Sequence, residues 1–185
     1  DGNYLTTAKA NLRAKAGLFL GFQYPMEVAG VSLSSFLRMA VNSSKGKNYS
    51  VLEFHQLLQQ KMVELKMDPA FSRRSLNEGF SGGEKKRAEI LQLLMLQPKY
   101  ALLDETDSGL DVDAMRVVAE GVKKLHQETG MCIILITHYQ RFLEYFTPNQ
   151  VHILQDGRMV AQGGAELAQR IEEQGFEGVM ELATP

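Results

Sequence analysis

The chain has 185 residues, 44% of them apolar, and a formal charge of −2, so it can bury one domain with a subdomain and carries no charge bias toward nucleic acid. Its longest apolar run, Met131 to Ile136, is strand-sized and far short of the roughly 20 residues a membrane helix needs. A single cysteine, Cys132, lies in that run, which excludes an internal disulfide, suits a reducing compartment and reads as a small core residue. The first residue is Asp rather than Met, and no basic then apolar leader follows, so the sequence is expected to be a fragment or a processed product.

Thr6 and Thr7 can cap a short helix from Ala8 to about Ala16, closed by Gly17. Leu18 to Phe22 reads as a strand, stopped at Gln23-Tyr24-Pro25 because proline cannot continue a central strand. From Ser32 to Met67 the pattern is helical. Phe36, Leu37, Ala40 and Val41 share one face, and Phe54, Leu57, Leu58, Met62 and Leu65 form a second stripe. The polar segment Asn42 to Ser50 between them reads as a loop. Glu84 to Gln97 is a helix ended by Pro98, and Tyr100 to Leu103 a buried strand. Asp113 to Glu128 is an amphipathic helix ended by Gly130, and Met131 to Thr137 a second buried strand. Val151 to Leu154 and Met159 to Gln162 flank Asp156-Gly157, a hairpin turn, and a last helix runs from about Ala165 to Gln174. Apolar strands alternating with helices predict a mostly parallel α/β sheet, with the helical stretch as an insertion.

Three segments carry chemistry. Tyr100-Ala101-Leu102-Leu103 ends in Asp104 and Glu105, and ligands of α/β proteins sit at the carboxyl ends of strands. One carboxylate there can hold Mg²⁺ and the other can deprotonate a water, although the pair equally suits a solvated acidic turn. Ile133 to Ile136 ends in Thr137-His138, which predicts His138 at the same edge. Ser81-Gly82-Gly83 opens a helix and so offers free N–H groups to an anion such as phosphate. Ser81 and Glu84 also make a capping box, so the same four residues could serve only to start the helix.

In chain order these segments resemble the ABC ATPase family. Gln23 matches its Q-loop, Phe80 to Arg87 its signature loop, and Leu102 to Glu105 its Walker B strand. Ser108 to Asp111 matches the D-loop and His138 the switch histidine. Phe22-Gln23-Tyr24-Pro25, Phe80 to Arg87, Asp104 to Asp111 and Thr137 to Arg141 are similar to the SufC branch, the ATPases of the SUF iron–sulfur cluster assembly machinery. The resemblance implies a RecA-like nucleotide-binding domain of α/β class with an inserted helical subdomain. It implies three parts: residues 1–22 as a remnant of the core, 23–86 as Q-loop and helical subdomain, and 87–185 as the remaining core.

The resemblance also implies ATP and Mg²⁺ as cofactors, and a head-to-tail pair with a second copy. Ser81, Gly82 and Gly83 would act on ATP held by that copy, and Asp111 would cross the interface. Asp104 and Gln23 would attend the Mg²⁺, Glu105 would be the general base, and His138 would engage the γ-phosphate. The implied partners are SufB/SufD-like scaffold subunits, in the bacterial cytosol or a plastid stroma, with no nucleic acid and no membrane insertion. An ABC importer ATPase, or a non-catalytic chain lending its signature loop to an intact ATPase, are the other readings. No Gly-x-x-x-x-Gly-Lys-[Ser/Thr] occurs, so these residues alone are expected to bind ATP weakly and hydrolyse it negligibly. His55, His126 and His152 read as structural or solvated, and Lys85, Lys86 and Arg87 as a solvated helix face.

Overall fold

The computed structural model describes residues 2, 4–46, 48–137 and 143–183. The chain divides into two compact units, residues 1–138 and 139–185.

In the first unit, α1 (Ala10–Lys15) runs into Gly17, whose φ of +94° sits in the region that favours glycine. The Gly17 carbonyl accepts from both Lys99 N and Tyr100 N, and a Cβ there would lie 2.9 Å from the Lys99 side chain. That close approach sets the start of β1 (Leu18–Gly21) against a later strand. β2 (Val28–Ser32) follows Pro25, and Ser32 caps α2 (Leu33–Lys45) through its hydroxyl, which accepts from Ser35 N. Ser50 and Glu53 form a complete capping box on α3 (Val51–Glu64). Leu33, Leu37 and Val41 of α2 and Phe54, Leu58 and Met62 of α3 are buried, as their spacing of four along a helix requires. A 3-10 turn (Pro69–Arg73) and β3 (Ser75–Leu76) complete this insertion, and β3 pairs antiparallel with β2.

α4 (Gly82–Leu96) then leads into β4 (Tyr100–Asp104), α5 (Val112–Thr129) and β5 (Cys132–Ile136). The three strands form a parallel sheet in the order β1-β4-β5. Leu20 faces Leu102, which faces Ile134, and Gly21, Leu103 and Leu135 form the next row. Parallel neighbours need crossover connections; the helical insertion with α4 makes one and α5 the other. On α5 a Cβ at Gly121 would touch Leu65, Ile90 and Leu94, so α5 lies close against α4 and the end of α3.

The sheet is not buried on both faces. Phe19, Ala101 and Leu103 are buried, whereas Leu20, Cys132, Ile134 and Ile136 are exposed. This corrects two expectations: Tyr100–Leu103 and the Met131 run are half-covered strands, and Cys132 is a surface thiol. Side chains alternate across a strand, so an apolar run buries only the face that another element covers.

In the second unit β6 (Val151–Gln155) and β7 (Arg158–Gly163) form the expected hairpin around Asp156-Gly157, both at positive φ. Ile153 and Leu167 are its small core, with Val151, Val160, Ala161 and Ile171 against them. α6 (Ala165–Ala183) runs past the predicted end at Gln174, with a non-helical break at Gly175 (φ 72°, ψ 174°).

Candidate functional site

Three chain segments meet at the carboxyl end of the parallel sheet. β1 ends at Gly21, so Gln23 lies just past it, and Glu105 lies just past β4. Gln23 Nε2 donates to Glu105 Oε2 at 2.7 Å. Glu105 N donates to the Ile136 carbonyl at 2.9 Å, which extends the β4–β5 ladder by one step. Glu105 itself has φ +47°, a left-handed conformation uncommon outside glycine and concentrated at functional positions. Thr137, just past β5, donates its hydroxyl to Asp107. His138 lies outside the described residues.

Beneath these residues runs the first half of α4. Lys86 is 4% exposed, and its ammonium donates to the Phe22 carbonyl at 2.8 Å and the Gln23 carbonyl at 3.0 Å. Glu89, 3% exposed, accepts the Phe22 N–H on Oε1 at 2.7 Å. The two side chains are 3.9 Å apart. Burial pushes the Lys86 ammonium below its ordinary pKa, against the pull of Glu89, Asp107, Asp104 and Glu105. Burial pushes the Glu89 carboxyl up to about 7, against the pull of the Phe22 N–H and of Lys86. Lys86 is therefore no solvated residue. A helix-face pattern cannot reveal this, because Lys86's acceptors are backbone carbonyls 63 and 64 positions away in sequence.

The start of α4 forms a second cluster. Ser81 and Glu84 make the capping box, with Glu84 Oε2 accepting Ser81 N at 2.7 Å. The bond from the Ser81 N–H chiefly holds the Glu84 carboxyl below its ordinary pKa against desolvation, with a lesser contribution from the Ser81 hydroxyl. Gly82 and Gly83 are absent from the positive-φ glycines. A Cβ at Gly82 would meet nothing within 4 Å, and one at Gly83 only Leu110 at 3.8 Å. Neither backbone strain nor internal crowding demands glycine there. Their N–H groups are first-turn donors without intrahelical acceptors, and the absent Cβ atoms leave that cradle open to a phosphate.

A cleft of about 290 Å³ is lined by Ser81, Gly83, Glu84, Arg87, Gly109, Asp111 and Ala114. It joins the helix start to the loop after β4. Asp111 caps α5, its Oδ1 accepting from Ala114 N at 2.7 Å, and is exposed. The loop leading into Ser81 is held by Arg74, whose guanidinium lies 4.6 Å from the ring centroids of both Phe71 and Phe80. These rings meet edge to face at 4.7 Å. This clamp was not read from the sequence; Phe71, Arg74 and Phe80 carry no periodic signal.

Among the described residues no group of three His, Cys, Asp or Glu side chains could hold a metal by itself. The Asp104 carboxylate, with Gln23 as its companion, would still suit Mg²⁺, because that ion keeps its waters and commonly takes only one or two carboxylates beside phosphate oxygens. Among the described residues no helix is long and apolar enough to cross a membrane.

No family model matches the chain. Its relatives are informative. It is 50% identical over 181 residues to vegetative protein 296 of Bacillus subtilis, covering 97% of this chain and 69% of that protein. It is 52% identical over 174 residues to a protein of Cyanophora paradoxa named a probable ATP-dependent transporter, covering 92% of this chain and 67% of that one. A Streptococcus pyogenes protein named a probable ABC transporter ATP-binding protein is 50% identical over 181 residues, 97% of this chain and 70% of that one. The fold is that of a solved cassette dimer in a post-hydrolysis state bound to ADP and Pi, with TM-score 0.73, 17% identity and coverage of 84% of this chain and 65% of that one. The α/β fold is thus that of an ATP-binding cassette. The chain belongs to the ABC ATPase family, a family of ATP hydrolases.

Proposed function

We propose that this chain belongs to the ATP-hydrolysing subunit of a SufC-like iron–sulfur cluster assembly system, these 185 residues alone hydrolysing ATP negligibly for want of a phosphate loop. The observation that carries the catalytic part is the 2.7 Å hydrogen bond from Gln23 to Glu105 at the carboxyl end of the sheet. Glu105 is the general base that takes the proton of the attacking water, and Gln23 orients that base and the water. Asp104 is the carboxylate for Mg²⁺, with Gln23 beside it. Bound Mg²⁺ neutralises charge on the phosphates. His138 engages the γ-phosphate. Ser81, Gly82 and Gly83 present the open start of α4 to ATP held by a second copy, and Asp111, on the rim of the same cleft, lies at that interface. In functional terms, residues 1–22 and 87–185 supply the core and residues 23–86 the Q-loop and signature subdomain.

The cluster-assembly assignment is supported by the runs Phe22 to Pro25, Phe80 to Arg87 and Asp104 to Asp111, which resemble the SufC branch. Its partners are SufB/SufD-like scaffold subunits, and its location is the cytoplasm or an equivalent plastid compartment. Purification of the native protein from its source with its partners tests this. A water-soluble scaffold pair is the expected companion. A multi-span membrane protein in its place identifies an importer ATPase; the names of two relatives say transporter.

A further inference from the structure

Glu89 sits in the interior of α4, where an apolar residue would fill the space without the cost of burying a carboxylate. Its Oε2 makes no hydrogen bond and only faces the Lys86 ammonium at 3.9 Å, so the carboxylate does not complete a fully satisfied polar network. What Glu89 does contribute is the 2.7 Å bond from Oε1 to the Phe22 N–H. Lys86, one turn earlier, takes the carbonyls of Phe22 and Gln23. Three polar groups of the Phe22–Gln23 backbone, the Phe22 N–H and both carbonyls, are thereby fastened to one helix. The fit is close: a Cβ at Gly21 would lie 3.1 Å from Thr106, 3.3 Å from Leu103 and 3.5 Å from the Glu89 carboxyl carbon. From this fixed backbone the Gln23 side chain reaches Glu105.

We infer that Glu89 is a positioning residue for hydrolysis: by accepting the Phe22 N–H it fixes the backbone from which Gln23 holds Glu105. The inference rests on the proposed roles of Gln23 and Glu105. Glu89 touches neither nucleotide nor water in this scheme and acts only through the loop. The same bond makes the start of α4, with its Ser81 cradle, and the loop at Gln23 one mechanical piece.

The test uses the native protein with four substitutions. Glu89→Met keeps the approximate volume and removes the acceptor; Glu89→Gln keeps an Oε1 acceptor for Phe22 N–H. Glu89→Met is expected to lower kcat for ATP roughly tenfold with KM for ATP within about twofold, and Glu89→Gln to restore most of it. Gln23→Ala is expected to lower kcat by a similar factor. Combined with Glu89→Met it should add less than about threefold, because residues acting in series are not additive. Factors that multiply in the double variant, or unchanged kcat in Glu89→Met, overturn the inference. Amide hydrogen exchange at Phe22 reads the contact itself. Exchange should quicken in Glu89→Met and stay near parental in Glu89→Gln, and unchanged exchange in Glu89→Met also overturns the inference. A Glu105→Gln variant that hydrolyses ATP at the parental rate overturns the reading of the site instead, and Phe22 exchange does not depend on it.

Discussion

At the scale of single residues, Glu89 links the site to pH. Its carboxyl is raised by burial to about 7, so the folded chain holds a proton that the unfolded chain releases near its ordinary value of 4.5. Between those two values the folded state binds more protons, and stability falls as pH rises through the window. Above about 7 the full penalty stands, of order 3 kcal/mol for a shift of that size. Glu89→Gln carries no such proton. Its stability relative to the parent is therefore expected to rise from near parity at pH 4.5 toward a gain of up to about 3 kcal/mol at pH 8. Urea unfolding of both proteins across that range checks this, and parallel curves reject it. Glu105 gives a second prediction at this scale. Removing a general base commonly costs a factor of about 10² to 10⁴ in rate. Glu105→Gln should lose hydrolysis by that order while the amide keeps a partner for Gln23, so ATP binding by the native protein should survive. Phosphate release and nucleotide titration separate the two effects.

At the scale of elements, the start of α4 poses a choice between a cap and an anion site, and a substitution can separate them. Ser81→Ala removes the cap and is expected to cost about 1 kcal/mol. Ser81→Asp retains a good cap but places a negative charge where a phosphate would come. It should keep the parental unfolding midpoint within roughly 0.5 kcal/mol yet lose ATP-dependent dimerisation of the native protein, measured by size exclusion. Equal dimerisation of Ser81→Asp and parent would leave only the cap. The ends of this helix and its neighbours were legible in the sequence because their signals are local. Ser81 with Glu84 and Gly130 each act within four residues, whereas the Ser50–Glu53 box and the Asp111 cap, equally local, appear only in the structure. The strands β1, β4 and β5 were legible as apolar runs, and the carboxyl-end placement of Gln23, Asp104 and Glu105 followed from them. The burial of Lys86 was not, since it depends on carbonyls at Phe22 and Gln23 delivered by the fold. Nor was the pairing of β2 with the two-residue β3, which is too short to show a period. Cys132 misled for a related reason: hydrophobicity tells that a strand can be buried, not which face is covered.

At the scale of the whole molecule, the uncovered sheet face is the feature with a measurable consequence. Leu20 is 47% exposed, Ile134 55% and Ile136 56%, while Phe19, Ala101 and Leu103 of the same strands are buried. Leu20, Leu102 and Ile134 stand in one row and Ile136 one row further along the same face, so the exposed residues form a patch rather than scattered sites. Contiguous apolar surface of this kind marks an interaction surface or an aggregation hazard, because water contact at each residue is removed when two such faces meet. These 185 residues should therefore bind a hydrophobic dye such as ANS while fully folded. Replacing Ile134 and Ile136 together with Thr keeps the β-branch that suits a strand and makes the face polar. Dye fluorescence and self-association by light scattering are expected to fall clearly, with the unfolding free energy changed by no more than about 1 kcal/mol, as for two surface substitutions. A loss of several kcal/mol would mean that this face is packed in solution, and unchanged fluorescence would mean that the dye reads another surface. The face lies opposite the packed side of the sheet but under the same strand ends that carry Gln23 and Glu105. Ile136 belongs to this face and its carbonyl accepts the Glu105 N–H, so a partner that covers the face is expected to order Glu105 as well.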